Sequence, residues 1–524
     1  MSETMTMCRA VRRLLALSVL VVAACTDAED VPDTADTSGY PPLRAVYDTE
    51  SHGYFIDPLG REVRLRGVNV NSYAEYWQFA ATYPTVTPFT EVDMDFLASM
   101  GYNVVRLLVT WSRVEPEPGA YDIEYLEQVR AVIRGLWQRG IYTLIDMHQD
   151  AWGPHLAARP DEACVEDERP AGGWDGAPLW ATLVDPATPR CLPNLAGRYL
   201  RELSPAVREA WMAFFANQAG PGGIGLQDRF AAMWGEVAAR LGAEPGVMGY
   251  DILNEPNALF EKQEFEGLRA MYIRVLAEVR RRETEAGIAP RIFLFEPSGN
   301  WANVPAGSTV SAFSTDSQLA YGPHIYQGSI GLMPLGAGQV SRLRDELYDY
   351  GGIPVLCGEW GAGPDDAELA DGYFARMLEL QDAEGWSMAH WVYQAACGDP
   401  HSYGSYQEGN PIDGNWGYRR SQCDNLDVQN WQAYEALIDR LRRPAMMYAP
   451  GRIENFVWSP DTPALEASGS TATDGAELEL FLPGPWQDMA FDTQGLSGFA
   501  RTEIYGGVRL RARATGTTWS LRSR

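Results

Sequence analysis

Two glutamates that lie 104 residues apart each follow or end a run of strand-forming residues. Glu255 lies in Tyr250–Pro256 (YDILNEP), and Glu359 lies in Val355–Gly361 (VLCGEWG). The carboxyl end of a strand is where a β/α barrel places its reactive side chains. Two carboxyl groups that face each other across a pocket are the minimum equipment for cleaving a glycosidic bond. We therefore predict Glu255 as the acid/base and Glu359 as the nucleophile.

Four further polar side chains lie at the ends of other strand-like runs. His148 and Asp150 follow one run, and His324 and Tyr326 flank the end of another. A single histidine at a strand end is more often a core residue, but several such side chains on one barrel rim indicate a substrate site. We predict that all four bind the substrate, with His324 and Tyr326 orienting the nucleophile and the sugar.

Three more residues complete the predicted site. Arg106 lies inside a buried strand, where a guanidinium needs a partner, and pairing with Glu359 would keep that carboxylate ionised. The amide of Asn254 is suited to contact a sugar 2-hydroxyl, and Trp391 could form the floor of the sugar site. Glu296 also ends a strand and is the main competitor for the acid, but no amide donor precedes it.

Apolar strand-like runs alternate with helical stretches, which is the pattern of a parallel β/α fold. Eight such runs, with helices of 3.6-residue apolar spacing between them, predict a (β/α)8 TIM barrel. The predicted strands are Val63–Asn69, Val104–Thr110, Tyr142–Met147, Val247–Leu253, Ile292–Glu296, Ala320–Ile325, Ile353–Gly358 and Met388–Tyr393. The predicted helices are Asp122–Arg139, Gln227–Leu241, Glu264–Ala286, Val340–Asp349, Ala367–Glu384 and Asn430–Arg442.

From about Pro444 the pattern changes to short alternating runs separated by Gly, Ser, Thr and Pro. This predicts a small all-β sandwich domain that packs against the barrel. Within the barrel, the long stretch Ala151–Ala219 is rich in Gly, Pro and Trp, and we predict that it shapes the substrate pocket. The predicted organisation is a signal peptide (1–25), an acidic tether (26–42), the barrel (43–443) and the β-sandwich (444–524).

The N-terminal segment has the features of an export signal. Three arginines precede the apolar run Leu14–Ala24, which is too short to span a bilayer permanently. The run ends Val22–Cys25 (VAAC), which resembles the bacterial lipobox, in which Cys25 would be acylated and become the mature N-terminus. The alternative is an ordinary signal peptide cut after Ala24. Either way we expect an exported protein, a cell-envelope lipoprotein or a secreted protein.

Five cysteines follow the N-terminal segment, and an exported protein can form disulfides. Pairing Cys164 with Cys191 and Cys397 with Cys423 would close two long loops and leave Cys357 over, although five cysteines permit other pairings. The chain has no CxxC motif and its six histidines are scattered. We therefore expect neither a metal nor a cofactor.

The net charge of −28 excludes a nucleic-acid partner, because phosphate contacts need basic patches. The same charge disfavours electrostatic attachment to anionic lipid, so we expect membrane contact through the N-terminal acyl anchor alone. Seventeen tryptophans and 25 tyrosines fit stacking on sugar rings but also fit a large core. We expect a monomer.

With these motifs the chain resembles glycoside hydrolase family 5 and, within it, the endoglycoceramidase-like branch. Asn254-Glu255-Pro256 matches the family's Asn-Glu-Pro, and Glu359 falls on its nucleophile position. The family's strand arginine, third-strand histidine, His-x-Tyr and eighth-strand tryptophan fall on Arg106, His148, His324, Tyr326 and Trp391. The branch motifs, within a resemblance that covers about residues 50–445, are Asp146–Asp150 (DMHQD), Gly176–Ala181 (GAPLWA), Gly225–Phe230 (GLQDRF) and Gly249–Asp251 (GYD).

The resemblance implies a retaining β-glycosidase that cuts between a glycan and a lipid, releasing oligosaccharide and ceramide from a glycosphingolipid. The branch uses an early lysine with the aspartate of DMHQD to hold the first sugar, but the only lysine here is Lys262, while Asp150 is kept. Sugar recognition is therefore expected to differ. The alternatives are a family-5 β-glucosidase or endoglucanase acting on a steryl, flavonoid or polysaccharide glucoside, and a non-catalytic glycan-binding lipoprotein.

Overall fold

The computed structural model describes residues 42–50, 53–195, 197–259, 261–299, 301–302, 309–327, 337–362, 367–402, 417–459 and 463–524. Cys25 lies outside these residues, as does the predicted tether up to residue 41. Over the described ranges, no helix has both the length and the apolar character needed to cross a bilayer.

A parallel sheet forms the barrel, and successive strands along the chain are neighbours in it. The sheet closes where the N–H of Tyr321 donates to the carbonyl of Pro354 at 3.0 Å. Every residue of the first three strands is buried, since the core covers one face and helices cover the other. The predicted barrel is confirmed. Its strands are Arg66–Val70, Val104–Thr110, Tyr142–His148, Val247–Asp251, Ile292–Phe295, Leu319–Tyr321 with Ile325–Gln327, Leu356–Ala362 and Ser387–His390.

The first strand begins at Arg66 and not at the predicted Val63, which pairs in another sheet, and the ends of several others differ by one to three residues. Two larger differences bear on the site. The sixth strand is split into two segments at Gly322-Pro323-His324, because proline has no N–H for the ladder. The seventh strand runs over Leu356–Ala362 rather than Ile353–Gly358, so Glu359 lies inside the strand. The turn that precedes this strand closes the barrel through Pro354, which cannot donate to a ladder either.

Helices connect the strands on the outside of the barrel. The last predicted helix, Asn430–Arg442, begins only at Glu435, because Gln432–Ala433 pairs instead with Arg419–Arg420. The helices are Glu91–Ser99, Trp111–Val114, Ile123–Trp137, Pro205–Phe215, Leu226–Leu241, Lys262–Ala286, Ala337–Asp349, Ala367–Glu384 and Glu435–Leu441.

Two antiparallel sheets follow the barrel and enclose a separate apolar cluster that includes Phe456, Leu480 and Trp519. The larger sheet also takes in strands from before the barrel, since Glu62–Val63 pairs with Ala445–Ala449. The predicted all-β sandwich is confirmed, while the domain boundaries stay predictions. The strands are Arg44–Val46, Tyr54–Ile56, Glu62–Val63, Ala445–Ala449, Glu477–Pro483, Gly507–Ala514 and Leu496–Ile504 in one sheet, and Ile453–Ser459, Ala464–Ser470, Thr518–Ser523 and Phe491–Gln494 in the other.

Two disulfides close long loops on the barrel. Cys164 bonds to Cys191 inside the stretch Ala151–Ala219, and Cys397 bonds to Cys423 after the eighth strand. Cys357 is buried in the seventh strand as a thiol. Of the disulfide pairings that the sequence permits, the structure therefore has the one in which Cys357 forms no disulfide.

Candidate active site

Four buried carboxylates surround the guanidinium of Arg106, which points into the barrel from the second strand. Its nitrogens lie 2.9 Å from Asp146, 2.8 Å from Asp251, 3.0 Å from Glu296 and 2.9 Å from Glu359. Burial by itself would lower the pKa of Arg106, but the four carboxylates raise it well above its ordinary value. The predicted pairing with Glu359 is confirmed, and three further carboxylates share the same cation.

Glu359 is held by a donor at each of its oxygens. Oε1 accepts from Nη1 of Arg106 at 2.9 Å, and Oε2 accepts from the hydroxyl of Tyr326 at 2.6 Å. Burial raises the pKa of Tyr326 well above its ordinary value, so the phenol keeps its proton and remains a donor. These two bonds fix the orientation of a carboxylate that is only 6% exposed.

Glu255 is the more accessible of the two glutamates, with 24% of its side chain exposed. Its Oε1 lies 3.0 Å from Nδ1 of His324. Its backbone has a φ of 39°, which is unusual for a residue with a side chain. Two contacts hold this conformation: the Glu255 N–H donates to Glu296 at 2.8 Å, and Gln149 donates to the Glu255 carbonyl at 3.1 Å.

The two glutamates face each other across a narrow gap. A carboxylate oxygen of Glu255, a ring nitrogen of His324 and a carboxylate oxygen of Glu359 all lie within 4.8 Å of one another. Enzymes that retain anomeric configuration hold their carboxyl groups about 5 to 5.5 Å apart, whereas inverting enzymes need about 6.5 to 9.5 Å for an intervening water. The spacing here suits direct attack by a carboxylate.

Glu296, the competitor for the acid, is enclosed behind the site and only 1% exposed. It accepts from Arg106 and from the N–H of Glu255, and its Oε1 lies 3.2 Å from Nε2 of His324. Burial raises the pKa of Glu296 to about 8, against the opposing charge of His324. Burial would lower the pKa of His324, but Glu296 and Glu359 raise it well above its ordinary value. Glu296 therefore supports its neighbours and does not face the substrate.

Asn254 and His148 are both anchored in the barrel. The Asn254 amide accepts from Arg106 at 2.9 Å and donates to the carbonyl of Gln149 at 3.0 Å, which leaves its second N–H for a sugar. Nδ1 of His148 lies 2.7 Å from Asp146, and burial lowers the pKa of His148 to about 3. The ring is therefore a neutral imidazole that donates to Asp146 and presents Nε2 as an acceptor.

A charged cluster surrounds Asp150, beside the catalytic pair. Asp150 accepts from Arg201 at 2.6 Å and lies 2.8 Å from Nε2 of His401, whose Nδ1 lies 2.8 Å from Asp399. Asn71 donates to the other oxygen of Asp399 at 2.8 Å. Burial would lower the pKa of His401, but Asp399 and Asp150 raise it to about 10. Burial would raise the pKa of Asp150, but Arg201 and His401 lower it below its ordinary value.

Aromatic rings enclose this cluster. The ring of His401 meets Trp391 at 5.0 Å and Trp174 at 5.1 Å, both edge-on, and Arg201 lies 3.8 Å above Trp174. Trp391 in turn stacks on His148 at 5.4 Å with 13° between the ring planes. The cluster is therefore continuous with the predicted floor of the sugar site.

Arg201 and His401 are the residues that sequence reasoning missed. They lie 51 and 251 positions from Asp150 along the chain, so no spacing pattern links them to it. Arg201 comes from the stretch Ala151–Ala219, which thus contributes to the pocket as predicted. The general composition of that stretch, rich in Trp and Gly, was the single available signal.

Four groups of side chains have the spacing of a metal site within the part of the chain that the structure describes, and two of them lie at the catalytic centre. Asp146, Asp251 and Glu296 form one, but Arg106 already supplies their cation. Glu255, His324 and Glu359 form the other, and there His324 carries the positive charge between the carboxylates. Arg106 and His324 thus place positive charge between these carboxylates.

Three comparisons place this arrangement among known proteins. Endoglycoceramidase I of Rhodococcus hoagii (strain 103S) is 31% identical over 204 residues, which span 39% of this chain and 35% of that relative. Ergosteryl-beta-glucosidase of Saccharomyces cerevisiae is 31% identical over 153 residues, 24% of this chain and 18% of that relative. The crystal structure of an endogalactoceramidase superimposes with a TM-score of 0.79 at 31% identity, covering 92% of this chain and 100% of that one.

The family assignment follows from the extent of the match. The profile of the cellulases, glycosyl hydrolase family 5, matches residues 56–397, which include all eight barrel strands in full. That range contains Glu255, Glu359, Arg106, Asp150 and Arg201. Asp399 and His401 follow directly after it. The chain belongs to glycosyl hydrolase family 5.

Proposed function

We propose that the protein is a retaining β-glycosidase that cleaves the bond between a glycan and a lipid aglycone such as ceramide. The observation that carries the proposal is the pair Glu255 and Glu359, with carboxylate oxygens within 4.8 Å of each other. One partner is accessible beside His324, and the other is fixed by Arg106 and Tyr326. This division suits an acid/base and a nucleophile.

In the first step, Glu359 attacks the anomeric carbon and Glu255 protonates the glycosidic oxygen. A bond forms between a Glu359 oxygen and that carbon, while the bond to the aglycone breaks and the lipid leaves as an alcohol. Arg106 and Tyr326 keep the carboxylate oriented for attack. The remaining N–H of the Asn254 amide is placed to donate to the sugar 2-hydroxyl, a contact that strengthens in the transition state.

In the second step, water replaces the lipid alcohol. Glu255, now a carboxylate, takes a proton from the water, whose oxygen attacks the anomeric carbon. The ester bond to Glu359 breaks and its electron pair returns to the carboxylate, so the glycan leaves with its original configuration. His324 contacts Glu255 throughout and orients it for both proton transfers.

The proposed substrate is a glycolipid. Two of the similar proteins are named for cleaving glycosylated ceramides, and one of them is matched over its whole length. The Asp150 cluster supports glycan binding, since Arg201 and His401 hold the Asp150 carboxylate in place beside Trp391. Arg201 thereby supplies a cation at Asp150 in a chain that has no lysine near it.

The similarity to an ergosteryl-beta-glucosidase supports a second candidate, a steryl glucoside, for the same catalytic pair. The two candidates share the mechanism and differ in the aglycone. A steryl substrate carries one sugar, and the Asp150 cluster could bind that sugar in either candidate. The match over the whole length of an endogalactoceramidase favours the glycolipid.

We also propose that the enzyme is exported and anchored through an acylated Cys25. The support is the apolar run that ends in Val22–Cys25 and the acidic stretch that follows it. An anchored enzyme would meet amphiphilic substrates at a membrane surface. Labelling of expressing cells with a radioactive fatty acid should mark the full chain and leave a Cys25→Ser variant unmarked.

The substrate is tested by incubating the purified protein with a panel of glycosphingolipids and ergosteryl glucoside in mild detergent, followed by mass spectrometry. Intact oligosaccharide together with ceramide is the expected result. Release of glucose from the steryl glucoside alone would move the assignment to the second candidate. No turnover of any β-glycoside would refute the proposed function.

A further inference from the structure

A separate cleft of about 280 Å³ opens on the rim of the barrel, between the loops that follow the first and second strands. Its polar lining comes from Ser72, Thr87, Arg113 and Gln128, and Tyr73 and Tyr125 contribute aromatic surface. Its volume lies near the lower bound of small-molecule pockets, roughly 300 Å³. The size suits one sugar unit better than a large ligand.

The cleft lies on the same face of the barrel as the catalytic glutamates. Ser72 follows the first strand, which ends at Val70, and Arg113 follows the second strand, which ends at Thr110. Tyr125 lies in the first turn of helix Ile123–Trp137, which leads away from that face. All eight strands of such a barrel end on one face, so the cleft opens on the face that carries the catalytic glutamates.

The hydrogen-bonding groups of the cleft are uncommitted within the described residues. Arg113 has no carboxylate partner there, and its guanidinium lies 4.6 Å above the ring of Tyr125. The hydroxyls of Ser72 and Thr87 and the amide of Gln128 make no side-chain hydrogen bond in the same part of the chain. A guanidinium fixed on an aromatic ring offers a rigid fork of donors, which matches two neighbouring sugar hydroxyls.

The cleft adjoins the Asp150 cluster through two successive residues of one loop, Asn71 and Ser72. Glu255 protonates the leaving oxygen, so the aglycone lies on the side of the fourth strand. The cleft lies beside the first and second strands, and the Asp150 cluster reaches Asn71, which follows the first strand, through Asp399. Ser72, the next residue, already lines the cleft.

We propose that this cleft binds a sugar of the substrate glycan beyond the two nearest the scissile bond. This inference rests on the proposed function and extends it, since it makes the enzyme favour long glycans over short ones. Arg113 is the principal positioning residue, and Gln128 and Ser72 add weaker contacts. Steryl glucosides and other single-sugar substrates do not reach the cleft.

The test compares ceramides that carry two or four neutral sugars, with the full-length protein in detergent micelles. Arg113→Ala should lower kcat/KM for the four-sugar substrate roughly tenfold, the loss of one charge-assisted hydrogen bond, and leave the two-sugar substrate unchanged. Gln128→Ala should cause a smaller loss of the same kind. Gln138→Ala, at the far end of the same helix, is the matched control and should change neither substrate.

An equal loss on both substrates, or no loss on either, would overturn the proposal. Thermal unfolding of each variant shows whether Arg113→Ala acts through folding, and Gln128, which is exposed, gives a variant with little structural risk. If the parent protein cleaves no glycolipid, the proposed function fails, and the cleft is tested separately by calorimetric titration with the free two-sugar and four-sugar glycans. Tighter binding of the longer glycan that Arg113→Ala abolishes would support the cleft, and equal binding of both would refute it.

Discussion

Replacing Glu255 by glutamine should distinguish the role of the acid/base from the roles of the neighbouring carboxyl groups. The change keeps the size of the side chain and removes the transferable proton. The backbone at this position is held by contacts that the side chain does not make, the N–H to Glu296 at 2.8 Å and the carbonyl to Gln149 at 3.1 Å. We therefore expect Glu255→Gln to fold with its strained φ of 39° intact.

The expected loss depends on the leaving group. A lipid alcohol needs the proton, so its kcat/KM should fall by roughly 10²- to 10⁴-fold, equivalent to about 3 to 5 kcal/mol of transition-state stabilisation. A 2,4-dinitrophenyl glycoside releases 2,4-dinitrophenolate, which leaves without protonation. The kcat/KM for this substrate should stay within about threefold of the parent's, a difference of roughly 0.7 kcal/mol. Its kcat should fall, because the second step still needs Glu255 as the base.

The assay follows steady-state hydrolysis of both substrates, with mass spectrometry of the intact protein to detect glycosylated Glu359. The matched control is Glu296→Gln, which removes another carboxyl that contacts His324. Glu296 acts through Arg106 and His324, so its loss should be similar for both leaving groups. A loss in Glu255→Gln that does not depend on the leaving group, or such a dependence in Glu296→Gln, would refute the assignment of the acid.

Three further predictions concern the rest of the site. Glu359→Gln should abolish turnover of both substrates, and activity near that of the parent would rule Glu359 out as the nucleophile. Arg201→Met removes the charge-assisted hydrogen bond to Asp150 and should lower kcat/KM for a two-sugar glycolipid by roughly 10- to 100-fold, mainly through KM; an unchanged KM would contradict a role in glycan binding. His401 stabilises the fold as a cation, since its pKa is raised to about 10. The contribution of His401 to the free energy of unfolding should be complete below the unfolded-state pKa of about 6.5 and disappear as the pH rises towards 10. The difference in Tm between the parent and His401→Gln should accordingly be largest near pH 6, and a difference that grows at high pH would contradict this reasoning.

The strands and the catalytic pair could be predicted because both depend on local sequence. A strand buried on both faces is a continuous apolar run, and Val104–Thr110 was predicted with its observed bounds for that reason. Parallel strands end on one rim, so polar residues at strand ends, such as Glu255 and His324, come together without any knowledge of the loops. Arg106 could be assigned a carboxylate partner because a buried guanidinium requires one.

The partners of these residues depended on the tertiary structure. Arg106 contacts four carboxylates because the closed barrel brings strands three, four, five and seven around the second strand. The split of the sixth strand follows from Pro323, but its two separate pairings emerge only in the closed sheet.

By itself the sequence determined the barrel, the positions of Glu255 and Glu359, and the retention of Asp150. It did not determine what holds Asp150, because Arg201 and His401 reach it from two long loops whose paths depend on packing far along the chain. The missing lysine predicted a change in sugar recognition, and in the structure Arg201 is a cation that contacts Asp150. Residues on strands are placed by a repeating local geometry, whereas contacts between loops are decided by the folded chain as a whole.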